Sequence, residues 1–422
     1  MLKVLVIGGG AREHTLVWKL SQSPNVEEIY VAPGNAGTGL IVKNLDIKPT
    51  ELETLAQVAQ ERRIDLAVVG PEAPLAAGIV DLFQGRCIPI FGPTKEATKI
   101  ESSKVFAKGL MQRYGIPCAQ SRSFSSFGEA RDYVNAEQPP IVVKADGLAA
   151  GKGSIVANST AEALVALSEI MEKRIFGEAG DQVLVEEWLT GKEVSLLAFT
   201  DGKTVVPMVP ACDYKRAWNG DEGPNTGGMG SYSPPDFFGA EMINRVRVTI
   251  LEPTVRAIAK EGQPYKGVLY VGLMLTEEGP KALEFNARFG DPENQVMLPL
   301  LESDLVDIML AVLDERLDKM EIKWGDEACV GVVMASGGYP GSYKTGFPIE
   351  GLDELDEDIL VFHAGTKASH GVIYTNGGRV LTVAARGRTI AEARDRVYSN
   401  IPHIHFEGCH YRRDIGAREV AP

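Results

Sequence analysis

Glu284, Asn286 and Arg288 stand at alternate positions in KALEFNARFGDPENQ, residues 281–295, and offer a carboxylate, an amide oxygen and a guanidinium in one row. Apolar and polar residues alternate there with a period of two. That pattern predicts a β-strand with Leu283, Phe285, Ala287 and Phe289 on one face and the three polar groups on the other. Successive residues on a face lie about 6–7 Å apart. Glu beside Asn is a hard-oxygen pair suited to Mg²⁺ or Mn²⁺, ions content with few protein ligands when phosphates and water fill the shell. Arg288 adds a planar fork for a carboxylate or phosphate beside that ion. Gly290-Asp291-Pro292 then breaks the strand and frees Asp291 and Glu293 near the same place. The plain alternative is a surface salt-bridge ladder on an edge strand.

The chain that must position this row has 422 residues, enough for two or three domains. We expect an N-terminal domain over 1–100, a central domain over 101–325 with a flap subdomain at about 119–190, and a C-terminal domain over 326–422. A net charge of −14 argues against broad binding to nucleic acid or anionic membrane, while leaving room for small anionic substrates held by local Lys and Arg. The five cysteines are scattered, with no CxxC pair, so a reducing cytoplasm is the expected location. Val4 to Gly10 is a short strand-like run and not a charged-then-apolar leader, and no apolar stretch nears the roughly 20 residues that span a bilayer.

Residues 1–100 alternate short apolar runs with helical segments, the pattern of a parallel, Rossmann-like α/β sheet. Gly8-Gly9-Gly10 opens a helix but misses the NAD fingerprint, because position 13 is Glu. Such a turn can still hold a phosphate on backbone N–H groups, as can Pro33–Thr38 and Gly70–Pro74 at other strand ends. Further on, Pro140–Ala145 is a strand carrying Lys144, joined by a Gly-rich loop, 146–153, to a strand at Ser154–Ala157. Two strands and a Gly-rich loop make a flap whose amides can close over phosphates, although the spacing is not that of a Walker motif. Glu186 to Leu189 could wall an adenine, and Glu193 could reach ribose hydroxyls. Residues 211–233 form a long polar stretch without evident structure, where Asp213, Lys215 and Arg216 could handle a charged substrate and Gly228 allows close backbone approach. Beyond 326 the pattern is a small mixed α/β domain. His403, His405, Cys409 and His410 crowd one segment of it without the two separated ligand pairs of a structural zinc site.

These motifs together resemble the glycinamide ribonucleotide synthetase (phosphoribosylamine–glycine ligase) family of the ATP-grasp superfamily. The resemblance runs through VLVIGGGAREH (4–14), APGNAGT (32–38), VGPEAPL (69–75), IVVKADGLAAGKG (141–153), GPNTGGMGSYSP (223–234) and EFNARFGDPENQ (284–295). It continues through VVMASGGYPGSYKTG (332–346), FHAGT (362–366) and TNGGRVL (375–381). Small departures are Gly9 and Ala11 in the first loop, and Ala287 where Cys is frequent. The resemblance implies ATP lying under the flap, with Lys104 and Lys144 on the phosphates and Gly147, Gly151, Lys152 and Gly153 in the covering loop. It implies Glu186, Glu187, Trp188 and Leu189 around adenine, Glu193 on ribose, Glu284 and Asn286 on Mg²⁺ or Mn²⁺, and Arg288 beside the transferred phosphoryl group. The N-terminal loops, with Gly10, Arg12, Glu13, Asn35, Gly37, Thr38, Gly70, Pro71 and Glu72, would hold 5-phosphoribosylamine. Asp213 and Asp291 are candidates for taking the amine's proton.

The implied partners are glycine and 5-phosphoribosylamine, with neither nucleic acid nor membrane, and a monomer is expected. Competing readings are another ATP-grasp carboxylate–amine ligase of the biotin-carboxylase-like branch, a Rossmann oxidoreductase, and a non-catalytic nucleotide-binding protein. Phosphoryl transfer fits the inventory best, since it needs cations and positioning more than a protein nucleophile.

Overall fold

Five parallel strands build the N-terminal sheet, in the spatial order Lys43–Asn44, Val26–Pro33, Leu2–Gly8, Leu66–Val69, Ile90–Phe91. The computed structural model describes residues 1–148 and 153–420. The central strand reads as a continuous apolar run because both its faces are covered, as parallel sheets require. Leu5 and Ile7 pack on helices Leu52–Glu61 and Ile79–Gly85. Val4 and Val6 share a second core with Leu197, Phe199 and helix Leu305–Leu313 from the central region. The alternation within one strand thus serves two cores, and the second docks this sheet onto the rest of the chain.

The flap is a separate small body. Its antiparallel sheet runs Ser121–Phe124, Val183–Glu187, Ile141–Ala145, Ser154–Ala157, with helices Phe127–Ala136 and Thr160–Leu167 closing its own core around Val143 and Leu167. Facing it across a cleft is a second antiparallel sheet, Val205–Pro207, Lys192–Asp201, Lys266–Thr276, Gly279–Asn286. The architecture is therefore mixed α/β in several layers, with an ATP-grasp arrangement in the middle.

The strand that carries the polar row corrects one expectation. Gly272 pairs with Glu284 but Leu273 pairs with Ala282, so Leu283 is an extra, bulged residue. The bulge shifts the alternation: Ala282 is buried and Leu283 only half so, while Phe285, Ala287 and Phe289 keep the inward face. The strand also ends at Asn286, where the next amide, Ala287 N, donates to Glu101 Oε2 at 2.7 Å in place of a ladder partner.

Residues 211–233 likewise are not structureless. Cys212–Asp213 and Gly230–Ser233 join a sheet with Ala328–Ala335, Arg379–Gly387 and Leu360–His363, and Arg216–Trp218 pairs with Glu222–Asn225. Their polarity comes from lining a cleft, and their main partner lies about a hundred residues ahead, beyond any local pattern. A hairpin joins Thr366–Ser369 to Val372–Thr375; the second strand is a largely apolar run that the sequence marks as extended, whereas the first is polar and largely exposed and carries no such pattern. Among the described residues no helix is long and apolar enough to cross a membrane.

A pair of imidazoles pins the C-terminal region to the first loops. His363 N donates to His14 Nδ1 at 2.8 Å, Asn35 Nδ2 donates to His363 O at 2.7 Å, and both rings crowd Gly37, where a Cβ would come within 2.6 Å of each. Burial, helped by His363, pushes His14 down to about 3, and burial pushes His363 down to about 4. Both rings therefore fold neutral. Their contribution is complete above the unfolded value of about 6.5 and is lost as pH falls below it toward 4, by up to about 1.4 kcal/mol per pH unit for each ring. Thermal unfolding should shift to lower temperature between pH 6.5 and 4, and His363→Gln should flatten that slope; an unchanged slope counts against this origin.

Candidate active site

The two antiparallel sheets and the loops of the parallel one enclose a cleft of about 1360 Å³. Glu284, Asn286 and Arg288 line it, as the alternation requires. So do Lys104, Lys144, Asp213, Lys215, Arg216 and Asp291, with Glu186, Glu187, Trp188 and Leu189 along the flap side, Glu193 on the facing sheet, and Arg12, Pro71 and Glu72 along the N-terminal side. Gly147 and Gly153 reach the cleft, whereas Gly151 and Lys152 lie outside the described residues.

Gly10, Glu13, Asn35, Gly37, Thr38, Gly70 and Gly228 stand outside the cleft lining. They build what stands behind the wall. Glu13 accepts from Gly10 N at 2.5 Å and from Arg12 Nε at 2.7 Å, and fills the space beside Gly70, where a Cβ would meet it at 2.0 Å. Asn35 binds Gly9 O and Thr38 N as well as His363, and Thr38 Oγ1 donates to Asn44. Gly228, at φ +109, lies where a Cβ would strike Pro292. Sequence motifs mark such supporting residues as strongly as contacting ones.

Charge decides what the cleft can hold. Burial raises Glu284, but Lys215, Lys144, Lys104 and Arg288 outweigh it and hold the carboxyl below its ordinary value. No described side chain donates a hydrogen bond to it, and the strand residue opposite, Gly272, has no side chain to cover it. Asn286 Oδ1 accepts only a long 3.4 Å bond from Arg288 Nη2. Two open oxygens facing four cations fit a divalent ion that brings phosphates with it. No cluster of three or more His, Cys, Asp or Glu side chains that could cage a metal occurs among the described residues, so the rest of any shell must come from ligand and water.

The cations are held in different ways. Lys104 Nζ donates to Gly147 O at 2.9 Å, and burial moves its pKa below the usual value. Lys144 Nζ lies 2.8 Å from Glu186 Oε2 and donates to the bulged Leu283 O at 3.3 Å. The bulge thus gives Lys144 a carbonyl at the edge of the polar row. Glu193 Oε2 accepts from Lys215 at 3.2 Å. Arg288 lies 3.2 Å from Glu101 Oε1 and 3.4 Å from Glu72 Oε2, though Nε makes no hydrogen bond there. Burial works against its charge, but Glu101 and Glu72 prevail and hold it above its usual value.

The two candidate proton acceptors differ. Asp291 has both oxygens engaged, Oδ2 accepting from Arg379 Nη2 at 2.9 Å and Oδ1 from Gln295 Nε2 at 2.8 Å. Burial is outweighed by Arg379 and Arg12, so it sits below the usual range. Asp213 accepts no hydrogen bond from a described side chain, and burial, despite Lys215, pushes it up to about 7, with Glu293 and Glu193 adding to the rise. Arg379 and Lys108 were missed as site residues. Arg379 lay in plain view within TNGGRVL; Lys108, one turn after Lys104, gave no signal beyond helical spacing.

Several lysines lining one cleft between a flap and a sheet bearing a Glu-x-Asn pair fit the class of ATP-grasp ligases. Comparison with known proteins gives the particular family. The model of the phosphoribosylglycinamide synthetase N domain matches residues 2–101, its ATP-grasp (A) domain 102–294 and its C domain 329–418. A phosphoribosylamine–glycine ligase of Halalkalibacterium halodurans is 50% identical over 420 residues, covering 100% of this chain and 98% of its own. The crystal structure of the Thermotoga maritima phosphoribosylamine–glycine ligase superposes with a TM-score of 0.85 at 35% identity, covering 98% of this chain and 100% of its own. A biotin carboxylase of Campylobacter jejuni shares the fold, with a TM-score of 0.76 at 13% identity over 100% of this chain and 96% of its own. The chain belongs to the phosphoribosylglycinamide synthetase family.

Arg288→Lys should leave the thermal transition nearly in place and lower kcat by about tenfold or more, because a point charge cannot span two acidic partners and a ligand as a fork does. Steady-state kinetics decides; unchanged kcat removes Arg288 from the reacting centre.

Proposed function

We infer that this chain is an ATP-dependent ligase that joins glycine to 5-phosphoribosylamine through glycyl phosphate, giving glycinamide ribonucleotide, ADP and phosphate, a step of purine biosynthesis. The observation that carries the reading is the pair of open oxygens on Glu284 and Asn286 facing Lys104, Lys144, Lys215 and Arg288 within one cleft. Cationic surroundings of this kind stabilise charge that develops during phosphoryl transfer.

In this reading Lys104 and Lys144 hold the phosphates, Gly147 and Gly153 border the same cleft, and Glu186 to Leu189 wall the adenine. Glu193 meets the ribose. Glu284 and Asn286 would hold Mg²⁺ or Mn²⁺, which when bound neutralises phosphate charge. A glycine carboxylate oxygen attacks the γ-phosphorus, the bond to the β–γ bridging oxygen breaks, and ADP leaves. The amine nitrogen then attacks the acyl carbon, the carbon–oxygen bond to phosphate breaks, and the nitrogen's proton goes to a carboxylate. Asp213 has free oxygens for that proton, whereas both oxygens of Asp291 are already engaged, which suits Asp291 to anchoring the substrate beside Arg12, Glu72 and Arg288. Lys215 and Arg216 supply charge for a carboxylate or phosphate. Because an acyl phosphate hydrolyses when wet, closure of the flap serves to exclude water. The five free cysteines agree with a reducing compartment such as the cytoplasm.

The test is phosphate release from ATP with glycine and phosphoribosylamine, omitting each in turn. Release that persists without glycine sinks the assignment. Glu284→Ala should lower ADP formation by at least about tenfold, corresponding to about 1.4 kcal/mol of barrier. Near-normal turnover at saturating Mg²⁺ would contradict its place as a ligand.

A further inference from the structure

Helix Lys104–Tyr114 presents Lys104 and Lys108 one turn apart toward the cleft. Lys108 is only 2% exposed, and Nζ lies 2.9 Å from Glu186 Oε1, while Lys144 lies 2.8 Å from Glu186 Oε2. One buried carboxylate therefore serves two ammonium groups. Lys108 Nζ and Glu186 Oε1 pair with one another, and neither has a further hydrogen-bond partner among the described residues, so each keeps spare bonding capacity although both are fully buried. Met111, Ala119, Val142, Leu184 and Met274 line the cleft with them.

Spare bonding capacity on a buried ion pair among apolar walls is filled when a ligand with a matching polar edge enters. A purine supplies that ligand, and here the inference rests on the ATP reading given above. When phosphates draw Lys144 away from Glu186, only Lys108 remains against the carboxylate. A carboxylate accepts hydrogen bonds and never donates, whereas a carboxylic acid can do both. A 6-amino group offers an N–H to such an oxygen; a 6-oxo group offers a second acceptor, and the two repel.

We propose that Lys108 is a positioning residue for base selection: it holds the Glu186 carboxylate as a pure acceptor while the nucleotide engages Lys144, and so favours 6-aminopurine over 6-oxopurine nucleotides. Burial alone raises the Glu186 carboxyl, and Lys144 and Lys108 together hold it below its usual value, so withdrawing the first leaves the second to do so. Lys108 touches no reacting atom in this scheme and acts through Glu186.

Lys108→Met tests it in the full-length enzyme, by kinetics with ATP and GTP and by calorimetric binding of a non-hydrolysable ATP analogue. The expected result is a KM for ATP and an analogue Kd raised about tenfold, kcat changed by less than about threefold, and the ATP-over-GTP ratio of kcat/KM reduced by about tenfold or more. Lys108→Arg should restore all three to within about threefold, since it returns a cation to Glu186. A folded Lys108→Met enzyme with wild-type affinity and base preference overturns the proposal, as does equal loss in a folded Lys108→Arg enzyme. Should Lys108→Met not fold, Lys108→Gln, a neutral donor of similar reach, takes its place with the same expectations and the same overturning result. Failure of the wild type to bind the analogue or to release phosphate with glycine defeats the ligase reading instead, and is seen before any variant is made.

Discussion

Uncompensated charge in a water-poor cleft is the constraint on which the rest of this structure depends. Glu186 and Glu101 are carboxylates withdrawn from water and Glu284 and Glu72 are partly so, and each is offset by Lys or Arg or takes up a proton. The offsets come from separate elements: Lys104 and Lys108 from one helix, Lys144 from the flap, Lys215 from the polar segment, Arg288 from the turn after the polar strand. Assembly of the cleft and balance of its charge are therefore one event. Glu101 shows how unevenly this is met: burial lifts its carboxyl, and Arg288 only partly offsets the rise.

The same pairs hold the domains in register. Arg288 bridges Glu72 of the N-terminal region and Glu101 of the following helix, Arg379 reaches from the last sheet to Asp291, and Asn35 and His14 meet His363. Those contacts surround the cleft on the sides away from the flap. The flap keeps a core of its own and meets the polar strand through Lys144 on Leu283 O. A body with its own core can move over the phosphates without disturbing the cores beneath it. Rigid docking on one side and an independent subdomain on the other give the cleft a fixed floor and a separable roof.

Much of the fold was legible from pattern alone. The parallel sheet followed from apolar runs spaced by helical segments, and the flap from Lys144, its Gly-rich loop and the strands beside it. Where the reading failed, a long-range partner was responsible. The bulge at Leu283 depends on how Lys266–Thr276 pairs, and the strands within 211–233 depend on Ala328–Ala335. Among site residues, motif spacing marked Glu284 and Asn286 but did not distinguish Arg12, which lines the cleft, from Glu13, which supports it from behind.

From its sequence by itself this protein already had its family, its cleft-facing row of Glu284, Asn286 and Arg288, and the elements bearing Lys104 and Lys144, because those features are written in local spacing and short motifs. Tertiary structure alone decided the protonation and partnership of the acids: that both oxygens of Asp291 are engaged while Asp213 accepts from no described side chain, and that Glu186 is shared between Lys108 and Lys144. The reason is physical. Burial and electrostatic balance depend on distances between segments far apart in the chain, and no local pattern carries that information.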